Sequence, residues 1–376
     1  MYQLMTAGPT RVSQDVLDAR SKPFPNPDQD HEFVELYHDL CGQISELLGS
    51  RAHETLILGG EGILGLEAAI ATLTEPGDRV LVLDNGLFGA GFADFVRMYG
   101  GDAVVYTCDY RNPIDPAALR TFLEKDHAFK YATLVHCDTP SGMLNDIASL
   151  CPLLKEFGIL TVVDAVASMF GEPLDVNNGI DVVCGGSQKV LSAPPGLAFV
   201  TISPKAWQVM QERRAPVASF YANLLTFQSY YEDKWFPYTM PASDLLGLSV
   251  AISRIAADKT RLTRHATLAA ACRKAMTMGG LTLHPEHGFA NTVTAFFVPD
   301  GLRSDEIVRA MQQEHGIMIS SSFGPFAGKL LRIGHMGENC KQEAMVECLF
   351  ALQSVLTAQG FSLKTSLSTS FLQELE

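Results

Sequence analysis

The chain has 376 residues, 42 acidic against 28 basic, for a formal charge of −14. That excess argues against nucleic acid or an anionic membrane as a partner, so small anions must be held by individual arginines and helix N-termini. With 47% hydrophobic and 19% charged residues, the chain suits one large domain plus a smaller one. The cysteines at positions 41, 108, 137, 151, 184, 272, 340 and 348 form no C-x-x-C pair. They read as reduced thiols, which points to the cytoplasm. No basic region followed by an apolar run opens the chain, and no apolar run approaches a membrane span.

In chain order, residues 1–14 read as an extended arm. Its turn Ala7-Gly8-Pro9-Thr10 would let backbone approach a ligand at Gly8, or be a tight turn and nothing more. A Pro/Asn-rich loop leads to a helix over 32–48. Strand–helix units follow, with strands over 55–58, 79–83, 103–106, 133–136 and 160–163, and helices over 63–73, 88–99, 116–125 and 147–157. The strands are short and nearly continuously apolar, as in a sheet covered on both faces. Such alternation predicts an α/β fold built on a mostly parallel sheet. From about residue 250 a long helix is followed by strands near 281–284, 292–297 and 329–333. We expect a large domain over 15–250 and a small α+β domain over 251–376.

The chemistry centres on residues 181–196. An apolar strand runs into Gly185-Gly186-Ser187-Gln188-Lys189, then into the turn Ala193-Pro194-Pro195-Gly196 and a second apolar strand. A lysine between two buried segments is costly to keep charged, and a lowered pKa would suit it for Schiff-base chemistry. Upstream, Gly60-Glu61-Gly62-Ile63-Leu64-Gly65 matches G-x-G-x-x-G after a strand and at a helix start, with Asp84 ending the next strand. That is the dinucleotide fingerprint in outline and makes an NAD-dependent dehydrogenase a rival. Against it stand more than fifty residues ahead of this supposed first strand, and a lysine and aspartate downstream left without a task. The free N–H groups of a helix start still favour an anion or polar oxygen there.

Asp164 ends a strand in Val-Val-Asp-Ala-Val-Ala-Ser, where a carboxylate faces the usual ligand crevice and would hold a proton on a pyridine nitrogen. A helix cap or a metal ligand are the alternatives. No His/Asp/Glu cluster at ligand spacing supports a metal. Thr139, in His136-Cys137-Asp138-Thr139-Pro140-Ser141-Gly142, would donate to a ring oxygen, and Phe88 would stack on a flat ligand. Arg332 interrupts an apolar strand pattern and asks for a carboxylate or phosphate partner, or for a structural ion pair.

Together these residues resemble the class V branch of the fold-type I, vitamin B6-dependent aminotransferases related to alanine–glyoxylate aminotransferase. The resemblance is carried by Gly186-Ser187-Gln188-Lys189 with Ala193-Pro194-Pro195-Gly196, by Val163-Asp164-Ala165-Val166-Ala167-Ser168, and by Arg332-Ile333-Gly334-His335-Met336-Gly337. It implies that Lys189 is the Schiff-base lysine, that Asp164 pairs with the ring nitrogen, and that Phe88 stacks on the ring. It also implies that Thr139 lies by the ring hydroxyl and that Arg332 takes the substrate carboxylate. The glycine loop and Gln188 would hold the far end of the cofactor, helped by Phe236 and Thr239 from the second subunit of a homodimer.

Two positions depart from the phosphate-binding pattern of the family: Glu61 stands for a small or hydroxyl residue, and Phe236 for a tyrosine. Both point to a ring carrying a neutral hydroxymethyl group, as in the pyridoxamine–pyruvate transaminase branch. Gly60-Glu61, Asp138-Thr139-Pro140-Ser141-Gly142, Phe236-Pro237 with Thr239, and Gly328-Lys329-Leu330 with Arg332 resemble that branch. The expected reaction is then pyridoxamine plus pyruvate to pyridoxal plus alanine. The alternative is serine– or alanine–glyoxylate (or pyruvate) transfer with resident pyridoxal 5′-phosphate. Phe323 stands where that branch carries a second arginine, which opens the acceptor to a bulkier or more apolar 2-oxo acid. A desulfurase on the same scaffold needs a loop cysteine, and the loop 320–324 has none.

Overall fold

The computed structural model describes residues 2–24 and 26–376. Its strands in chain order are β1 (Gln3–Leu4), β2 (Glu54–Gly59), β3 (Arg79–Asp84), β4 (Asp102–Thr107), β5 (Tyr131–Val135), β6 (Cys137–Asp138), β7 (Met143–Leu144), β8 (Leu160–Asp164), β9 (Val182–Gly186) and β10 (Leu197–Ile202). Seven of them form one sheet in the order β2-β10-β9-β8-β5-β3-β4. The pairs among β9, β8, β5, β3 and β4 are parallel, and only β10 runs against its two neighbours. The four strands β5, β8, β9 and β10 are buried along their whole length, as their unbroken apolar runs require. The edge strand β4 is half-exposed and correspondingly mixed in sequence.

Helices α1 (Gln14–Arg20), α2 (His31–Leu47), α3 (Gly62–Leu73), α4 (Leu87–Met98), α5 (Pro116–Leu123), α6 (Ile147–Glu156), α7 (Pro204–Gln211) and α8 (Ala242–Ala257) surround this sheet. The third glycine of the G-x-G-x-x-G run lets α3 approach β10, since a methyl group on Gly65 would stand 3.2 Å from the Ala198 Cβ. A second core gathers residues of α9 (Arg261–Met278), α10 (Ser304–His315) and α11 (Gln342–Ala358) with those of β11 (Val293–Phe297) and β14 (Leu330–Gly334). In that sheet β14 lies between β11 and β13 (Ser320–Ser321).

One expectation needs correction: residues 281–284 form no strand, because only Leu283 makes an isolated bridge, to Phe296. The boundary expected near 250 lies in α8, whose Ala251 and Ile252 still belong to the large core. The arm over 1–14 stitches the fold together: β1 pairs in parallel with β12 (Ile317–Met318), Met5 joins the second core, and α1 starts at Gln14.

Candidate active site

The strands of the large sheet other than β10 all point the same way, so their C-terminal ends collect on one edge. That edge brings together Glu61 after β2, the segment 136–139 after β5, Asp164 closing β8, and Gln188-Lys189 after β9. A cleft of about 270 Å³ opens there, lined among others by Gly8, Glu61, Ile63, Phe88, Thr139, Asp164, Gln188 and Lys189. Eight residues picked from separate stretches of the sequence thus share one cavity.

Lys189 is buried, and its Nζ donates to the Ala7 carbonyl at 2.6 Å. Burial pulls its pKa below that of an ordinary lysine, with Cys137 opposing the shift and Arg332 adding to it. Gly8 makes this possible: its φ is +97°, and a methyl group there would come 2.7 Å from the Lys189 Cε. Asp164 is 5% exposed and accepts from the Val166 N–H at 2.9 Å. Burial pushes it up to about 7, and the Asp138 and Glu61 carboxylates act in the same direction. A carboxyl this poorly solvated asks for a cationic partner inside the cleft.

The mouth of the cleft has an unusual hydrogen-bond balance. Glu61 caps α3: one carboxylate oxygen accepts from the Ile63 N–H at 3.2 Å and the other from Gln188 Nε2 at 3.0 Å. That bond orients the Gln188 amide, leaving its buried Oε1 without a partner. Ser187 Oγ donates to the Pro194 carbonyl at 2.7 Å. The exposed group at this mouth is the Glu61 carboxylate, an acceptor and an anion. Gly62, beneath them, is buried so tightly that a methyl group would stand 2.7 Å from a Val166 methyl.

Arg332 lies in β14 and is buried, with Nη2 donating to the Ser321 carbonyl at 2.7 Å and Nε left without a partner. Burial lowers it to about 10, opposed by Asp138, so it stays charged at neutral pH. Among the described residues Arg332 makes no ion pair, and the Ser321 carbonyl is its hydrogen-bond partner.

Several functional groups escaped the sequence reading. Asp138 is fully buried and accepts from the Phe88 N–H at 3.1 Å and from Ser141 Oγ at 2.6 Å. It ties the aromatic wall of the cleft to the 136–142 turn. Cys137 and Val166 also line the cleft. Their signal was position alone, one residue beyond a strand end or two beyond Asp164.

Within its own chain the Phe236 ring is buried, 4.9 Å from Tyr37, 5.7 Å from Tyr230 and 5.9 Å from Phe33. Thr239 is exposed but donates to Asp28 at 2.8 Å, and neither residue lines the cleft of its own chain. Asp84, read as the acidic residue of a dinucleotide site, instead accepts from Tyr110 at 2.6 Å and Thr107 at 3.2 Å.

Residues 3–342 match the family model described as aminotransferase class V. The chain is a class V aminotransferase. This overturns the dehydrogenase reading of the glycine loop. The chain is 32% identical over 364 residues to a pyridoxamine–pyruvate transaminase of Mesorhizobium japonicum, covering 95% of this chain and 92% of the relative. It superimposes on the crystal structure of ureidoglycine–glyoxylate aminotransferase from Bacillus subtilis with a TM-score of 0.95, at 27% identity and covering 100% of this chain and 98% of the other. For the pyridoxamine–pyruvate aminotransferase of Mesorhizobium loti the TM-score is 0.93 at 31% identity, covering 99% and 96%. The fold is that of the fold-type I enzymes, and the enzyme works with vitamin B6, as pyridoxal 5′-phosphate or as free pyridoxal and pyridoxamine.

The cleft suits such a ring. It offers a buried amine of lowered pKa, a buried carboxylate at a strand end, and apolar groups in Phe88, Val166 and Ala167.

Proposed function

We propose that this aminotransferase passes an amino group between pyridoxamine, unphosphorylated and used as a substrate, and a 2-oxo acid. One observation carries this reading: the exposed Glu61 carboxylate stands in the cleft lining at the start of α3, where it accepts from the Ile63 N–H and from Gln188 Nε2. A phosphate dianion needs donors and would meet a carboxylate; a hydroxymethyl group is a donor and suits acceptors.

Bound vitamin B6 supplies a protonated aromatic ring that accepts the electron pair released when a C–H bond beside the nitrogen breaks. The protein does the rest. Lys189 Nζ takes up and returns the proton, a task helped by the burial that lowers its pKa. The Asp164 carboxylate holds a proton on the ring nitrogen. Phe88 would cover a face of the bound ring and Thr139 would stand by its hydroxyl, both lining the cleft. Arg332 would orient the 2-oxo acid through its carboxylate.

The enzyme works in this reading as a homodimer. The exposed aromatics Phe220, Tyr221 and Trp235, next to the aromatic core around Phe236, are the surface a second copy would cover. Eight unpaired cysteines, seven of them buried, suit the cytoplasm.

Calorimetry of the purified protein with pyridoxal and with pyridoxal 5′-phosphate tests the proposal. Tighter binding of pyridoxal is expected; tighter binding of the phosphate ester would overturn it in favour of a resident-cofactor enzyme.

A further inference from the structure

Phe323 is 47% exposed and packs against Phe88, which lines the cleft. Its centroid is 6.1 Å from that of Phe88, edge to face, and 5.6 Å from the Arg332 guanidinium carbon. The ring is held in place by its neighbours. The Ser322 N–H donates to the Leu330 carbonyl at 3.0 Å, and Ser322 Oγ donates to the Pro140 carbonyl at 2.9 Å. Gly324, at φ +58°, packs on the Leu87 side chain so closely that a methyl group would stand 3.1 Å away. The aromatic ring is thus part of the same wall as Phe88.

The Arg332 guanidinium, which makes no ion pair among the described residues, is the cation beside this wall. A 2-oxo acid anchored there by its carboxylate carries its side chain on the keto carbon, one carbon from the anchor, which brings that side chain to Phe323. A charged or hydroxylated side chain would lose water against these rings. An alkyl or aryl side chain would exchange water for aromatic surface.

We propose that Phe323 selects 2-oxo acids with branched-alkyl or aromatic side chains over glyoxylate and pyruvate. The inference rests on the transamination reading above, with Arg332 as carboxylate anchor, and narrows its acceptor.

The test is steady-state transamination with pyridoxamine, and separately with its 5′-phosphate, against glyoxylate, pyruvate, 2-oxoglutarate, 4-methyl-2-oxopentanoate and phenylpyruvate. For the wild type, kcat/KM for the last two should exceed that for pyruvate by about tenfold or more, the low end of what one methylene is worth in an apolar pocket. Phe323→Ala should lower kcat/KM for those two acids about tenfold and leave pyruvate little changed, while Phe323→Leu keeps the branched acid and loses the aromatic one. A wild type that prefers pyruvate or glyoxylate overturns the proposal. So does an unchanged ratio in Phe323→Ala, including the case where that variant only shifts the oligomeric state in gel filtration, as a subunit contact would. Turnover with the phosphate ester alone overturns the free-pyridoxamine reading and leaves the acid ratios readable. No turnover with any acid overturns both.

Discussion

Replacing Glu61 by glutamine removes one negative charge from the cleft mouth and keeps an oxygen to accept the Ile63 N–H, bonded at 3.2 Å in the wild type. A phosphate there carries about −1.5 to −2 charge near neutral pH. Against a carboxylate ~4 Å away, each pair of unit charges costs about 1 kcal/mol in water and about 4 kcal/mol at an effective dielectric of 20. Glu61 is exposed, so the lower part of that range applies, about 2 kcal/mol in total, or roughly thirtyfold in Kd. Glu61→Gln should therefore tighten pyridoxal 5′-phosphate about thirtyfold and shift pyridoxal by less than about threefold, since a hydroxymethyl group finds an acceptor in either side chain. Calorimetry at low and high salt checks both values, and the gain should shrink with salt as screening grows. Equal changes for the two ligands, or none for the ester, would refute the charge argument. Melting temperature serves as the control and should move little, because the cap of α3 is retained.

Lys189→Ala should abolish transamination and any visible absorbance gained with pyridoxal, while ring binding measured by calorimetry survives. Gly8→Ala forces a side chain into φ +97° and against Lys189. We expect a loss of stability of about 1–3 kcal/mol and a kcat reduced at least tenfold by displacement of the amine, both readable from thermal melts and kinetics. Asp164 gives a pH prediction. Its folded pKa, about 7, lies above the usual 3.8, so its contribution is favourable below about pH 4 and is lost as pH rises through 7. Asp164→Asn should thus raise the melting temperature of ligand-free protein at pH 8 but not at pH 4. The gain is on the order of 2 kcal/mol, since the ionisation penalty of about 4 is offset in part by the amide's own unpaired N–H. Activity should nonetheless be lost. The buried His136 and His265, both lowered to about 4, work in the other direction. Held neutral in the fold, they make it lose stability as pH falls from 6.5 towards 4, which thermal melts across that range would show as a falling melting temperature.

The sheet was legible because its strands are buried on both faces, and burial leaves unbroken apolar runs such as Val182–Gly186. Lys189, Asp164 and Glu61 were legible for a related reason: each is a polar residue at the end of such a run, where a parallel sheet presents its ligand edge. The surroundings of Phe236 were not legible, because Tyr37 and Tyr230, nearly two hundred residues apart, close around its ring. The segment 281–284 misled because its alternation lacks a partner strand beyond one bridge.

What the amino-acid order determines by itself is the alternation of buried strands and helices, the chemical kinds of group at the strand ends, and the cofactor class that those kinds imply. These are local properties of burial and periodicity. Only the tertiary structure decides that the Ile63 N–H and Gln188 Nε2 are both given to Glu61, that Gly8 clears the way for Lys189 Nζ to reach Ala7, and that Phe323 stands over Arg332. Each of those joins residues brought together by crossovers of the chain, and hydrogen-bond saturation is a property of the neighbours, invisible in either partner alone.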